Sequence, residues 1–221
     1  MVAHKRTTSD ARMSARATVA VILAGGRGSR MGGTVPKMLL DLGGRPLLAH
    51  AIERLRLQAE AIAISTNEPA LYRDFDLPCV EDADAGFPGP LAGLDAAGRH
   101  FTAALGHRFD LVCVAGDTPF LPHDLVARLA CAPGKGRVAV ASSGGRLHPT
   151  IALWPCESLD DLPLDPLLPN RSRSLAAVMD REGRRVAPFE LPTEGSLVDP
   201  FFNINTPEDL ATARTVVKSA G

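Results

Sequence analysis

The residues best able to do chemistry lie in one glycine-rich stretch, Val19 to Lys37, and in one distant aspartate, Asp117. The stretch begins as an unbroken apolar run, Val19-Ala-Val-Ile-Leu-Ala24, and stops at Gly25-Gly26. Five glycines and the cations Arg27, Arg30 and Lys37 follow. Glycine lets a backbone approach a ligand closely and adopt positive φ. Successive exposed amides form a nest for anionic oxygens. The chemistry this suggests is the cradling of a nucleoside phosphate just beyond a strand. Two common cradles are not met. A dinucleotide fingerprint needs a third glycine where Met31 stands, and a P-loop needs a lysine where Thr34 follows Gly33. Left to its residues alone, the stretch is equally open to reading as a glycine-rich surface loop with solvated arginines.

Asp117 follows a second apolar run, Asp110-Leu-Val-Cys-Val-Ala115, and a glycine. Magnesium is held by one or two carboxylates together with phosphate oxygens and water, a role that a carboxylate at a strand end suits. The plainer alternative is an Asp-Thr-Pro turn. Ligands in open α/β sheets collect beyond the carboxyl ends of the strands. Lys37 and Asp117 are therefore expected in one crevice despite their separation in sequence.

Several segments in a fixed order carry a resemblance. They are Leu23-Ala-Gly-Gly-Arg-Gly-Ser-Arg-Met-Gly32 with Lys37 shortly after, Leu42-Gly-Gly-Arg-Pro-Leu47, and Gly89-Pro-Leu-Ala-Gly93. Asp117-Thr-Pro-Phe-Leu-Pro122, His148-Pro-Thr-Ile-Ala-Leu153 and Phe202-Asn-Ile-Asn-Thr-Pro-Glu-Asp-Leu210 complete the set. Between Val19 and Leu210 the chain resembles the nucleotidyltransferases, and among them the molybdenum cofactor guanylyltransferase family.

The resemblance implies GTP and molybdopterin as substrates and Mg2+ as the metal. It implies Lys37 and Asp117 as catalytic residues, with Asp117 the metal ligand. Leu23, Ala24, Gly25, Gly26, Arg27, Lys37, Ser65, Asp82 and Asp117 would meet the nucleotide. His148, Asn203 and Asn205 would meet the acceptor. For Glu81-Asp82 an exposed acidic turn is the alternative. For His148, Asn203 and Asn205 it is a structural role, and for Arg171 and Arg173 a solvated helix face.

The chain departs from the family pattern twice. Ser65 stands where an asparagine is common, and Thr34-Val-Pro-Lys37 is one residue longer than usual, with a Pro-Lys pair similar to that of cytidylyltransferases. A CTP-using transferase acting on molybdopterin or another small phosphorylated acceptor stays open as an alternative. So does a non-catalytic cofactor-delivery protein. Maturation proteins of molybdoenzymes are a further expected partner class, and the expected assembly is a monomer or weak homo-oligomer.

The bulk properties fit one α/β domain. The chain has 221 residues, 45% of them hydrophobic, and a formal net charge of −1, which argues against a general nucleic-acid binder. No Cys-x-x-Cys occurs among the four cysteines, so neither a zinc nor a redox motif is supported. Reduced, packed thiols in a cytoplasmic protein are expected instead. No apolar stretch approaches the roughly eighteen residues a membrane span requires. The first seventeen residues, polar and mildly basic, read as a disordered tail without the apolar centre of a secretory signal, and Met13 is an alternative start. Residues 18–221 read as one nucleotidyltransferase domain, nucleotide-binding in front and acceptor-binding behind.

The elements that must position these groups alternate strand and helix. Strands are expected at Thr18–Ala24, Ala61–Ser65, Pro78–Glu81, Asp110–Ala115, Gly136–Ser142, Leu147–Trp154 and Arg184–Phe189. Helices are expected at Pro46–Leu57, Leu91–Leu105, Pro122–Ala130 and Arg171–Glu182, with a last one capped by Thr206. Ser143-Gly-Gly145 reads as a hairpin turn, and Pro155–Asn170 has no assignment. The predicted fold is a single Rossmann-like, doubly wound, mostly parallel sheet with an antiparallel hairpin in its C-terminal part.

Overall fold

The computed structural model describes residues 16–25, 35–82, 89–106, 108–165, 174–191 and 198–220. Its strands are β1 (Ala17–Leu23), β2 (Asp41–Leu42), β3 (Arg45–Pro46), β4 (Ala61–Ser65), β5 (Cys79–Val80), β6 (Phe109–Ala115), β7 (Val138–Ser143), β8 (Arg146–Pro155) and β9 (Arg184–Phe189). Its helices are α1 (Leu47–Arg56), α2 (Pro90–Leu105), α3 (Leu125–Ala130), α4 (Leu175–Glu182) and α5 (Pro207–Ala220). Seven strands form one sheet in the order β5-β4-β1-β6-β8-β7-β9. β8 runs antiparallel to both of its neighbours, and every other pairing in that sheet is parallel.

The unbroken apolar run of β1 follows from its place near the middle of the sheet. Ala20 and Ile22 face one core with Leu48, Ala51 and Leu55 of α1 and Leu125 and Leu129 of α3. Val19, Val21 and Leu23 face a second core with Leu91, Leu94 and Phe101 of α2 and Val178 and Met179 of α4. A strand covered on both faces has no reason to alternate with polar residues. From β1 the chain winds outward through β4 to β5, then returns to β6 on the other side of β1. The carboxyl ends of β1 and β6 therefore flank a topological switch point, where open sheets leave a crevice.

The hairpin joining β7 to β8 turns at Gly144 and Gly145, with φ of 53° and 77°. Positive φ at both central positions marks the turn whose twist matches its flanking strands. β8 then inserts itself between β6 and β7, so the hairpin sits inside the sheet and not at its edge.

Several boundaries differ from the sequence expectation. β1 begins at Ala17, and Arg16, assigned to the tail, pairs with Glu157 and lies 3.5 Å from Asp110. The rest of the expected tail, residues 1–15, lies outside the described residues. α1 starts at Leu47, because Pro46 still pairs with Asp41 in the small hairpin of β2 and β3. α3 starts at Leu125 and not Pro122: the carbonyl of Pro122 accepts from Leu125 and that of Asp124 from Arg128. α4 starts after Ser174, whose hydroxyl accepts from the Ala177 amide at 3.2 Å. That contact is the N-cap signature; Arg171 and Arg173 lie outside the described residues. The unassigned stretch opens with one tight turn, Cys156–Ser158. All four cysteines are free, but only Cys113 and Cys156 are buried; Cys131, at the end of α3, is exposed and corrects the expectation of packed thiols. Among the described residues no helix is long and apolar enough to cross a membrane.

Candidate active site

The switch point brings together the ends of three strands. The Ala24 amide donates to the Ser65 carbonyl at 2.9 Å, and the Gly116 amide donates to the Leu23 carbonyl at 3.0 Å. The backbone leaving β1 is thus tied to β4 on one side and to the β6 turn on the other. Leu23, Ala24 and Gly25 are where the sequence places the start of the cradle. Gly26, Arg27 and Arg30 lie outside the described residues.

The chain returns at Val35-Pro36 and makes one tight turn, Lys37–Leu39. Met38 in that turn is 5% exposed and belongs to the α1-side core, so the turn is anchored by burial. From it the Lys37 ammonium donates to Asp117 Oδ2 at 2.6 Å and to Asn205 Oδ1 at 2.8 Å. Lys37 and Asp117 are 80 residues apart in sequence, and their side chains are only 10% and 14% exposed. The two groups expected to share a crevice do so in direct contact.

Asp117 is held by its main chain as well. Its carbonyl accepts from the Ile204 amide at 3.0 Å, and Thr118 Oγ1 donates to Asn203 Oδ1 at 2.6 Å. The segment Asn203-Ile-Asn205 is in this way fastened along the β6 turn. Asn205 is fixed from behind, where its amide and that of Thr206 both donate to Asp209 Oδ2 at 2.8 Å. Thr206 Oγ1 in return accepts from the Asp209 amide at 3.1 Å. This reciprocal cap opens α5. The hydrogen bonds from these amides hold the Asp209 carboxyl below its ordinary range.

The second oxygen of Asp117, Oδ1, is buried and has no hydrogen-bond partner among the described residues. A buried carboxylate oxygen left unpaired costs free energy unless something else meets it. Among the described residues no group of three or more His, Cys, Asp or Glu side chains could hold a metal. A single free carboxylate oxygen suits a hard divalent ion that takes most of its ligands from phosphate and water. The residues present therefore fit magnesium arriving with a triphosphate and do not form an all-protein metal cage.

The remaining expected residues fall into two groups. Asp82 follows β5, two strands from β1. Its amide donates to Asn67 Oδ1 at 3.1 Å, and the Asn67 amide group lies 3.4 Å from its Oδ2. Burial pushes the Asp82 carboxyl above its ordinary range. Its contacts are with Asn67, not with Lys37 or Asp117. Ser65 is 5% exposed, and its hydroxyl lies against α2: a Cβ on Gly93 would stand 2.2 Å from Ser65 Oγ. Ser65 thus packs against α2, and a side-chain amide stands two residues on in the chain, at Asn67.

His148 pairs with Ala141 near the carboxyl end of β7, at the same end of the sheet as Asp117. Its Nε2 lies 2.7 Å from Ser143 Oγ, and its ring lies 4.8 Å from that of Phe201, just before Asn203. Sequence reasoning missed Asn67, Ser143, Thr118 and Asp199. For Thr118 the signal was present, one position after Asp117. For the other three it was not, because their roles depend on distant partners: Asn67 on Asp82, 15 residues away, and Ser143 on Asp199, 56 residues away, whose Oδ2 accepts from the Ser143 hydroxyl.

The MobA-like NTP transferase domain matches residues 20–186. The chain is 45% identical over 206 residues to a molybdenum cofactor guanylyltransferase of Rhodopseudomonas palustris (strain BisB5), covering 90% of this chain and 94% of that one. It is 43% identical over 202 residues to a molybdenum cofactor guanylyltransferase of Mesorhizobium japonicum, covering 90% and 95%. In fold it is similar to the crystal structure of molybdopterin-guanine dinucleotide biosynthesis protein A from Archaeoglobus fulgidus. That likeness has a TM-score of 0.65 at 22% identity and covers 91% of this chain and 99% of that one. With a family domain spanning most of its length and relatives this similar, the chain belongs to the MobA-like NTP transferase family.

Proposed function

We propose that this protein transfers GMP from GTP to the terminal phosphate of molybdopterin, releasing pyrophosphate and forming molybdopterin guanine dinucleotide. The observation that carries the reading is the Lys37–Asp117 contact at the switch point, with Asp117 Oδ1 unpartnered among the described residues and two asparagines fastened beside it. The two named relatives support GTP and molybdopterin as the substrates. Residues 18–221 act as one domain, with the cradle after β1 taking the nucleotide and the β7–β8 hairpin with Asn203 and Asn205 taking the acceptor. The reaction belongs in the cytoplasm.

An acceptor phosphate oxygen forms a bond to the α-phosphorus of GTP as the bond to the β-phosphate oxygen breaks. Such a transfer needs positioning and charge stabilisation more than covalent help from the protein. Lys37 is fixed by its anchored turn, and its ammonium retains one N–H beyond the two used on Asp117 and Asn205. It stabilises the charge that grows on the leaving pyrophosphate. Asn205 and Asp117 Oδ2 together hold the ammonium at that place, which leaves Asp117 Oδ1 for a metal. Asp117 would hold Mg2+ through Oδ1, and the ion would neutralise part of the triphosphate charge. The main chain after Leu23 meets the guanine and ribose. Asp82, oriented by Asn67, accepts from the nucleoside. His148, Asn203 and Asn205 meet the pterin.

The test is pyrophosphate release from GTP, CTP and ATP, each with purified molybdopterin and magnesium. GTP-dependent release that is lost in Asp117→Ala is expected. A clear preference for CTP would overturn the guanylyl assignment, and full activity of Asp117→Ala would remove that residue from the metal site.

A further inference from the structure

His148 is held by a chain of hydrogen bonds that the transfer reaction does not itself require. Ser143 Oγ lies 2.7 Å from His148 Nε2 and donates to Asp199 Oδ2 at 2.7 Å. A hydroxyl has one proton. Given to the acceptor-only carboxylate, that proton leaves Ser143 Oγ able only to accept from the imidazole. His148 Nε2 must then carry hydrogen, and Nδ1 of the neutral ring keeps its lone pair.

The chain is built rather than incidental. Ser143 is 3% exposed. Asp199 uses its other oxygen to accept from the Phe201 amide at 2.8 Å, and its carbonyl accepts from the Phe202 amide at 2.9 Å. The turn that orients Asp199 therefore also sets Phe201 against the His148 ring and leads directly into Asn203 and Asn205. Among the described residues Nδ1 has no hydrogen-bond partner.

We infer that Ser143 and Asp199 are positioning residues that fix His148 as the Nε2–H tautomer, so that Nδ1 is offered as a hydrogen-bond acceptor to an N–H of the second substrate. The inference rests on the reading above that the acceptor binds at His148. An N–H donor is what the amide and amine of a pterin present, and a protonated imidazole would repel it. Burial works in the same direction and holds the imidazole below its ordinary range, with Arg146 on β8 adding to the effect and Asp199 opposing it. Ser143 on β7 is uncharged and shifts the balance only through its proton.

The tautomer is read directly from long-range proton–nitrogen correlations of the imidazole in the full-length protein without ligands. His148 is assigned among the six histidines by the signal lost in His148→Gln. The wild type should show one protonated and one bare nitrogen, with Nε2 protonated at neutral pH. Ser143→Ala should give a mixture of tautomers, and Asp199→Asn should lower the pH at which the ring protonates. A wild-type ring that carries its hydrogen on Nδ1, or a pattern unchanged in Ser143→Ala, overturns the positioning role. Because the first result needs no change at Ser143, it does not depend on Ser143→Ala folding.

Kinetics tests the second half. One misplaced hydrogen bond should raise the KM for molybdopterin about fivefold in Ser143→Ala while leaving kcat and the KM for GTP near their wild-type values. If the tautomer behaves as described but KM for molybdopterin is unchanged in Ser143→Ala, Nδ1 does not meet the acceptor. If it is unchanged in His148→Gln as well, it is the placing of the acceptor at His148 that fails.

Discussion

Replacing Lys37 by methionine should damage folding as well as catalysis, and by an amount the geometry allows one to set. Lys37 Nζ and Asp117 Oδ2 are 2.6 Å apart with side chains only 10% and 14% exposed. Removing one partner of a buried pair costs about 3–5 kcal/mol, because the other charge stays behind uncompensated. Asp117 cannot move to water easily. Its carbonyl is tied to the Ile204 amide, and its Oδ1 already lacks a partner among the described residues. The residual exposure admits some solvent, which favours the lower end of that range, about 3 kcal/mol. For a chain of this length each kcal/mol moves Tm by about 2–4 °C. Lys37→Met should therefore melt roughly 6–12 °C below wild type by calorimetry at neutral pH, without nucleotide or magnesium, whose binding would mask the effect. Asp117→Asn should cost less, about 1 kcal/mol, since it keeps an oxygen for Lys37 and the long lysine stem can reach solvent. The double variant should return close to Asp117→Asn, giving a coupling of about 2–3 kcal/mol. All three should be inactive. A Lys37→Met protein melting within a degree of wild type, or two single effects that simply add, would refute the view that the pair is a buried, mutually dependent unit.

The other expectations concern what surrounds that pair. Gly93→Ala should lower Tm by a few degrees, because its methyl would lie 2.2 Å from Ser65 Oγ and 2.9 Å from Leu23 Cδ2; overpacking costs about 1–3 kcal/mol, against less than about 1 kcal/mol gained in helix propensity. Combining it with Ser65→Ala should restore part of the loss, and no restoration would show that the clash is with Leu23 alone. Asp209→Ala should cost about 1 kcal/mol as a lost cap and should also raise the KM for GTP by loosening Asn205 behind Lys37. The Asp209 carboxyl is held below its ordinary range, so its stabilisation is complete above the ordinary carboxylate pKa and fades as pH falls through the lowered value. Melts of wild type and Asp209→Asn should therefore converge in acid and separate towards neutral pH. Under native conditions iodoacetamide should modify Cys131, which is exposed, and spare Cys113, which is buried and whose thiol is pushed far up by burial. Mass spectrometry showing early labelling at Cys113 would contradict the packing around β6.

What could be read in advance was whatever a short stretch of chain decides by itself. β4 and β9 match their expected bounds, Ala61–Ser65 and Arg184–Phe189, because each is a compact run with clear breaks at both ends. The meeting of Lys37 with Asp117 followed from one topological rule about strand ends and needed no knowledge of distance. The illegible part is of another kind. The helix expected from Pro122 begins at Leu125, since proline marks where a helix is permitted and not where packing starts one. Ser65 could be placed at a strand end, but whether its hydroxyl turned to a ligand or to a helix depended on Gly93 crossing 28 residues later. The segment from Asp199 to Asn205 shows the limit most clearly. Read locally it is an Asp-Pro turn and the approach to a capped helix. Folded, Asp199 holds Ser143 and hence His148, Asn203 holds Thr118, and Asn205 holds Lys37. One seven-residue strap thus joins the side proposed to take the acceptor to the side proposed to take the nucleotide. Displacing either end of it should disturb both substrates, although no residue of the strap lies in the glycine-rich stretch from which the function was first suspected.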